Sequence, residues 1–197
     1  MNHLYEVLAS LLEYPSRDWN TRVERCKQWL TVQEPELAVQ FIPFQRKVRE
    51  LSVERLQELY TQTFDLNPVC TLDVGYHIFG ENYKRGELLA KLRETEAQFE
   101  LGQADQLPDH LPVLLRLLAK LDDNELRPAL ICEILIPALD KMIEALCPTN
   151  NPYRDLIEVI NKALKNEVPE ANARGQLAPG EEIPELYRIS SKAAARR

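Results

Sequence analysis

Apolar residues in this chain recur every three to four positions, and the recurrence runs through most of its 197 residues. Leu4, Val7, Leu8, Leu11 and Leu12 form one such stripe, which Tyr14-Pro15 ends. Trp19, Val23, Cys26, Trp29 and Leu30 form a second, with Ser16 or Asp18 as its cap. Leu37, Phe41, Phe44 and Val48 form a third behind Pro35, with Pro43 placed to bend or split it. Val53, Leu56, Leu59, Tyr60 and Phe64 follow Ser52, which can cap them. No stretch alternates apolar and polar residues at the strand period, and no hairpin turn stands out. Stripes of this period must be buried against one another. The expected fold is therefore all-α, a single-domain bundle of about seven to nine helices with short loops.

The second half continues the pattern. Asn67-Pro68 reads as a loop, and a short helical piece from Leu72 to Phe79 stops at Gly80. A long helix is expected over Asn82 to Leu101, with Leu88, Leu89, Leu92, Thr95 and Phe99 inward and Gly102 as its stop. Asp109 can cap a helix whose first turn holds Pro112, and Leu111 to Leu121 is so apolar that this helix should be central. Asn124 can cap a further helix to Leu146, with Pro128 in its first turn and a kink at Pro137. Asn151-Pro152 opens the last, Tyr153 to Lys165. Beyond Asn166, five Pro and Gly residues punctuate a charged stretch. The expected division is a helical domain over 1–166 and a flexible charged tail over 167–197.

Charge narrows the function. The chain carries 31 acidic and 24 basic residues, a net charge of −7 with a pI near 5.1. Phosphate neutralisation by Lys and Arg is the basis of nucleic-acid binding, so no nucleic-acid partner is expected. The longest apolar run, Leu130 to Leu139, is broken by Glu133 and Pro137 and falls short of the ~18 residues of a span. No secretory signal is evident. Direct membrane insertion is not expected, and the assigned compartment is the cytoplasm. Cys26, Cys70, Cys132 and Cys147 match no metal-ligand spacing and read as small hydrophobes in a reducing compartment. His3, His77 and His110 lie far apart in sequence, so no metal site is predicted. Phosphate loops, nucleophile elbows and H-E-x-x-H motifs are missing, which argues against an enzyme.

Two segments do not read as core filler. One runs from Tyr60, Phe64 and Asp65 to Gly80, Glu81, Arg85 and Gly86, with loops, aromatics and clustered charge between helices. The other is Leu107-Pro108-Asp109-His110-Leu111-Pro112-Val113. In the plain structural reading, Gly80 and Gly86 serve backbone geometry, Asp109 caps a helix and His110 lies on its surface.

Together these motifs resemble the redox enzyme maturation chaperones, in particular the nitrate reductase delta-type branch (the NarJ family, in the group that includes TorD and DmsD). The resembling runs are Tyr60-x-x-x-Phe64-Asp65, Gly80-Glu81-x-x-x-Arg85-Gly86 and Leu107 to Val113. The order of helices from Leu4 to Lys165 agrees with it. Two departures, Glu81-Asn82-Tyr83-Lys84 and Asp73-Val74-Gly75-Tyr76, leave the client open.

The resemblance implies an assembly factor that binds the N-terminal segment of an apo molybdoenzyme catalytic (alpha) subunit, with respiratory nitrate reductase as the favoured client. The factor supports molybdenum cofactor insertion before the client docks at the membrane. It holds no cofactor tightly, because the molybdenum cofactor is handled through the client. A helical bundle can offer such a segment apolar anchors and an acidic rim. Tyr60, Phe64, Tyr76 and His77 are expected to line the groove, with Asp109 and His110 as polar contacts at its end. Asp65, Gly80, Glu81, Arg85, Gly86, Pro108 and Pro112 are expected to structure the loops. The rival reading is a permanent structural subunit or adaptor of a membrane-bound redox complex. Homodimerisation stays open.

Overall fold

The computed structural model describes residues 2–66, 70–101 and 105–168. The loop at Asn67-Pro68, the stop at Gly102 and all but the first two residues of the expected tail lie outside the described residues. The helices are α1 (Asn2–Ser10), α2 (Trp19–Gln33), α3 (Pro35–Arg49), α4 (Val53–Tyr60), α5 (Val74–Phe79), α6 (Tyr83–Glu96), α7 (Leu111–Lys120), α8 (Leu126–Ala129), α9 (Ile136–Leu146) and α10 (Pro152–Glu167). A π-helical turn, Thr61–Asp65, prolongs α4, and a second, Leu130–Leu135, joins α8 to α9. Nine continuous helical segments result among the described residues, with no strand. The fold is the all-α bundle that the periodicity predicts.

The centre lies where the sequence is most apolar. In α7, Leu111, Val113, Leu114, Leu115, Leu117 and Leu118 have no exposed surface, and α1 packs against this helix, with Leu8 of α1 and Leu11 and Leu12 just beyond it fully buried. α10 is held between α3 and α9, and α5 lies on α9. Each Leu so buried contributes about 1.5–3 kcal/mol relative to exposure.

Helix ends differ from expectation where a tertiary partner competes for a cap. Ser52 accepts from Arg55 N as expected. Asp18 occupies the cap of α2 without bonding its backbone, because its carboxylate takes Arg22 at 3.1 Å instead. Asp123, rather than Asn124, accepts from Glu125 N and Leu126 N at the start of α8. His110, rather than Asp109, stands at the cap of α7.

Pro137 does not break its helix. Proline lacks an N–H and crowds the carbonyl four residues back. The π turn just before it, closed by Ile136 N donating to Ile131 O, widens the helix there and lets it continue.

Helix α10 runs to Glu167, one residue into the stretch assigned to the tail. Tyr5 donates to Glu167 Oε2 at 2.6 Å, and Arg127 donates to both carboxylate oxygens. Arg127 also donates to the carbonyls of Leu118 and Leu121. This clasp fastens the end of α10 to α1 and α8, so Glu167 belongs to the domain. Among the described residues, no helix is long and apolar enough to cross a membrane.

Candidate functional site

The segments singled out in the sequence meet at one end of α7. Val74 N donates to Asp109 O and Leu111 N to Leu72 O, each at 2.9 Å. These two bonds pair Asp73 with His110 as an isolated antiparallel bridge and set the start of α5 beside the start of α7.

Arg85, in the first turn of α6, closes the arrangement. Its Nε donates to Asp109 Oδ2 at 2.8 Å, and its Nη2 donates to Asp109 Oδ1 at 3.3 Å and to Asp73 Oδ2 at 3.0 Å. His110 Nδ1 lies 3.4 Å from Asp73 Oδ1. Asp109 has no exposed surface. A buried carboxylate needs a partner with matching geometry, and the guanidinium fork supplies one. The His110 hydrogen bond and the Arg85 charge hold the Asp73 carboxyl below its usual range, against the effect of burial. Hydrogen bonding to Asp109 raises Arg85.

Gly75 makes this packing possible. A Cβ there would stand 2.7 Å from Asp109 Oδ2 and 3.1 Å from a Leu88 methyl. Gly80 ends α5 with φ of +60°, in the left-handed region, as a backbone role requires. Gly86 does not share that role. It lies within α6, in ordinary helical backbone, with open space where a Cβ would be. Pro108 and Pro112 are buried, Pro112 in the first turn of α7.

The four expected groove aromatics divide. Tyr60 and Phe64 are only 7% and 5% exposed. They pack edge-on to each other and to Tyr153 of α10, at ring distances of 4.9–5.9 Å, and Tyr60 donates to Leu12 O at 3.1 Å. Leu12 and Tyr14, just past α1, pack on Tyr60, and Tyr153 of α10 packs on both rings, so they brace the core instead of lining a groove. His77 is also committed. Its Nε2 donates to Thr71 O at 2.8 Å, and Lys141 of α9 donates to its carbonyl. Burial pushes its pKa down, which favours the neutral ring. Tyr76 is 45% exposed, with the Arg85 guanidinium 5.8 Å from its ring centre. Asp109 does not face outward as a polar contact, because its carboxylate is spent on Arg85. His110 keeps partial exposure.

Sequence reasoning missed Asp73 and Gly75 as members of this knot, the buried Glu96 that feels the Asp109 charge, and the exposed Leu66, Tyr83 and Leu107. Glu96 lies on the buried stripe of α6 with Leu88 and Leu92, at i, i+4 and i+8, and that spacing could have revealed it. It is 3% exposed, its Oε1 has no hydrogen-bond partner, and burial together with the Asp109 charge lifts its carboxyl to about 7.

Leu66, Tyr76, Tyr83 and Leu107 are exposed large apolar side chains; Tyr76, Tyr83 and Leu107 lie within three residues of Asp73, Arg85 and Asp109, and Leu66 follows the π turn after α4. Asp65, Glu81 and Asp105 are exposed carboxylates on the same segments. Burial raises the Asp65 carboxyl, and the nearby His110 charge opposes that. The buried charged centre thus has exposed apolar and acidic side chains close to it in sequence. Among the described residues, no three His, Cys, Asp or Glu side chains gather as a metal site.

The sequence is similar to those of known proteins. The family described as nitrate reductase delta subunit matches residues 16–159, from the loop after α1 into α10. The chain is also 26% identical over 164 residues to a Bacillus subtilis (strain 168) protein named "Probable nitrate reductase molybdenum cofactor assembly chaperone NarJ". That match covers 82% of this chain and 88% of the relative.

Proposed function

The chain belongs to the nitrate reductase delta subunit family, and we propose that it is a nitrate reductase molybdenum cofactor assembly chaperone. In this reading it binds the N-terminal segment of the apo catalytic subunit in the cytoplasm. It keeps that subunit open to cofactor insertion and leaves before the client docks at the membrane. It is not an enzyme.

The observation that carries the reading is the exposed apolar set Leu66, Tyr76, Tyr83 and Leu107, mounted on the Arg85–Asp109–Asp73 knot. Exposed aromatics on a rigid frame are typical anchors for a partner segment. Asp65, Glu81 and Asp105 give the surround an acidic character, which favours a client segment with basic residues and speeds its arrival. The docking residues are thus Leu66, Tyr76, Tyr83, Leu107 and His110, with Asp109 and Arg85 holding them in place.

The molybdenum cofactor is reached through the client. Arg85 already serves two carboxylates and has no charge to spare for a phosphate-bearing ligand.

The test is calorimetric titration of the full chain with a synthetic peptide of the catalytic subunit's first residues, beside maturation of the co-expressed subunit. Binding at micromolar affinity or better, weakened by Tyr76→Ala, is expected, together with release of the chaperone from the cofactor-loaded enzyme. Retention at fixed stoichiometry in the mature enzyme would overturn the reading.

A further inference from the structure

The surface around Arg85 lacks a cover among the described residues, yet the chain carries a segment suited to it. Ile183, Leu186, Tyr187 and Ile189 place four large apolar residues within seven positions. Residues 186–197 hold four cations, Arg188, Lys192, Arg196 and Arg197, and no acid. This basic, apolar chemistry is what the docking surface is proposed to receive from a client.

Geometry permits the encounter. The clasp of Tyr5, Arg127 and Glu167 fixes where the chain leaves the domain. From there, 14 residues (169–182) precede Ile183, and extended they reach up to about 46 Å. A domain of this size is about 40 Å across. A tether of this kind gives an effective concentration on the order of 1 mM, so even a weak segment docks part of the time.

We propose that residues 183–197 dock on the surface formed by Leu66, Tyr76, Tyr83 and Leu107 and occupy it until a client displaces them. The inference rests on the reading of that surface as the client site. The occupant is the chain's own because charge is complementary across the contact. The segment is cationic, whereas the surface shows Asp65, Glu81 and Asp105, with Arg85 neutralised. Lys84 and Lys141 are the nearby cations, and Lys141 is held by the His77 carbonyl.

The test uses the full chain with a photo-reactive phenylalanine in place of Tyr187, mapped by mass spectrometry on mixed isotope-labelled and unlabelled protein. The expected cross-links lie within one chain, fall on residues 65–66, 76–83 and 105–110, and are lost when the client peptide is added. The double variant Leu186→Asp/Ile189→Asp should remove them and tighten peptide binding about 2- to 10-fold, for a segment Kd of ~0.1–1 mM. Cross-links between differently labelled chains would assign the segment to a second copy and overturn the proposal. Capture on anionic vesicles in place of intrachain cross-links would overturn it in favour of a lipid surface. Peptide binding unchanged by the double variant, without patch cross-links, would overturn it while leaving the client site standing. Patch cross-links that survive saturating peptide would uphold self-docking and overturn the client reading of that surface.

Discussion

Arg85 Nε and Asp109 Oδ2 lie 2.8 Å apart across 24 residues of sequence, and the carboxylate they share has no exposed surface. The pair joins α6 to the start of α7, and Asp73 brings in α5. Breaking such a pair from one side leaves a buried charge uncompensated, which costs more than the pair itself contributes. Arg85 stands partly in solvent, so Arg85→Met should cost about 3 kcal/mol, the low end of the ~3–5 kcal/mol range for buried pairs. Adding Asp109→Asn should recover part of that loss. Urea denaturation of the two single variants and the double variant measures the coupling. Strictly additive losses would show that the pair does not act as a unit.

Gly75 and Gly86 should respond in opposite directions to alanine. At Gly75 the new methyl would stand 2.7 Å from Asp109 Oδ2, which cannot retreat without loosening Arg85. Gly75→Ala should cost about 1–3 kcal/mol, as overpacking does. At Gly86 there is open space in helical backbone, so Gly86→Ala should stabilise by up to about 1 kcal/mol. Thermal melts of both variants decide the matter, and equal shifts would contradict the packing described.

Glu96 gives stability an unusual pH dependence. Its carboxyl is raised to about 7 in the folded chain, above its ordinary value of 4.5. Folding therefore favours the protonated form, and the associated stability, full below about pH 4.5, is lost as pH rises through 7. His77, depressed below 6.5, acts in the opposite sense, losing stability as pH falls. The test is therefore the difference between wild type and Glu96→Gln. Urea midpoints should nearly coincide at pH 5, and the variant should be the more stable at pH 8. A constant difference across that range would remove Glu96 as the cause.

The helices were legible because their apolar period is local. Leu8, Leu11 and Leu12, or Leu114, Leu117 and Leu118, declare a buried face without reference to anything distant. The site was less legible because its contacts are not local. Asp109 reads in the sequence as a cap, but His110 takes that position and the Asp109 carboxylate goes to Arg85. Tyr60 and Phe64 visibly share a face, but the sequence does not say that α10 covers it. Gly75 needs its missing side chain because of a carboxylate 34 positions away in sequence. Glu167 reads as the start of a charged tail until Tyr5 and Arg127 claim it.

That division of the aromatics yields the last prediction. Tyr60 and Phe64 sit in the core with Tyr153, so Phe64→Ala should cost about 3–5 kcal/mol of stability, as large-to-small aromatic changes do. Any loss of client binding by that variant should follow the fraction unfolded. Tyr76 and Leu107 are exposed, so Leu107→Ser should change stability by less than about 0.5 kcal/mol and Tyr76→Ala, which also loses the Arg85 contact, by no more than about 1 kcal/mol. If they anchor the client, each should weaken peptide binding by about 10-fold, equivalent to ~1.4 kcal/mol. Urea denaturation and calorimetric titration on the same protein samples separate the two effects. Wild-type affinity in both exposed variants would place the client elsewhere on the bundle. Loss of affinity with an unchanged urea midpoint would tie recognition to the surface above Arg85.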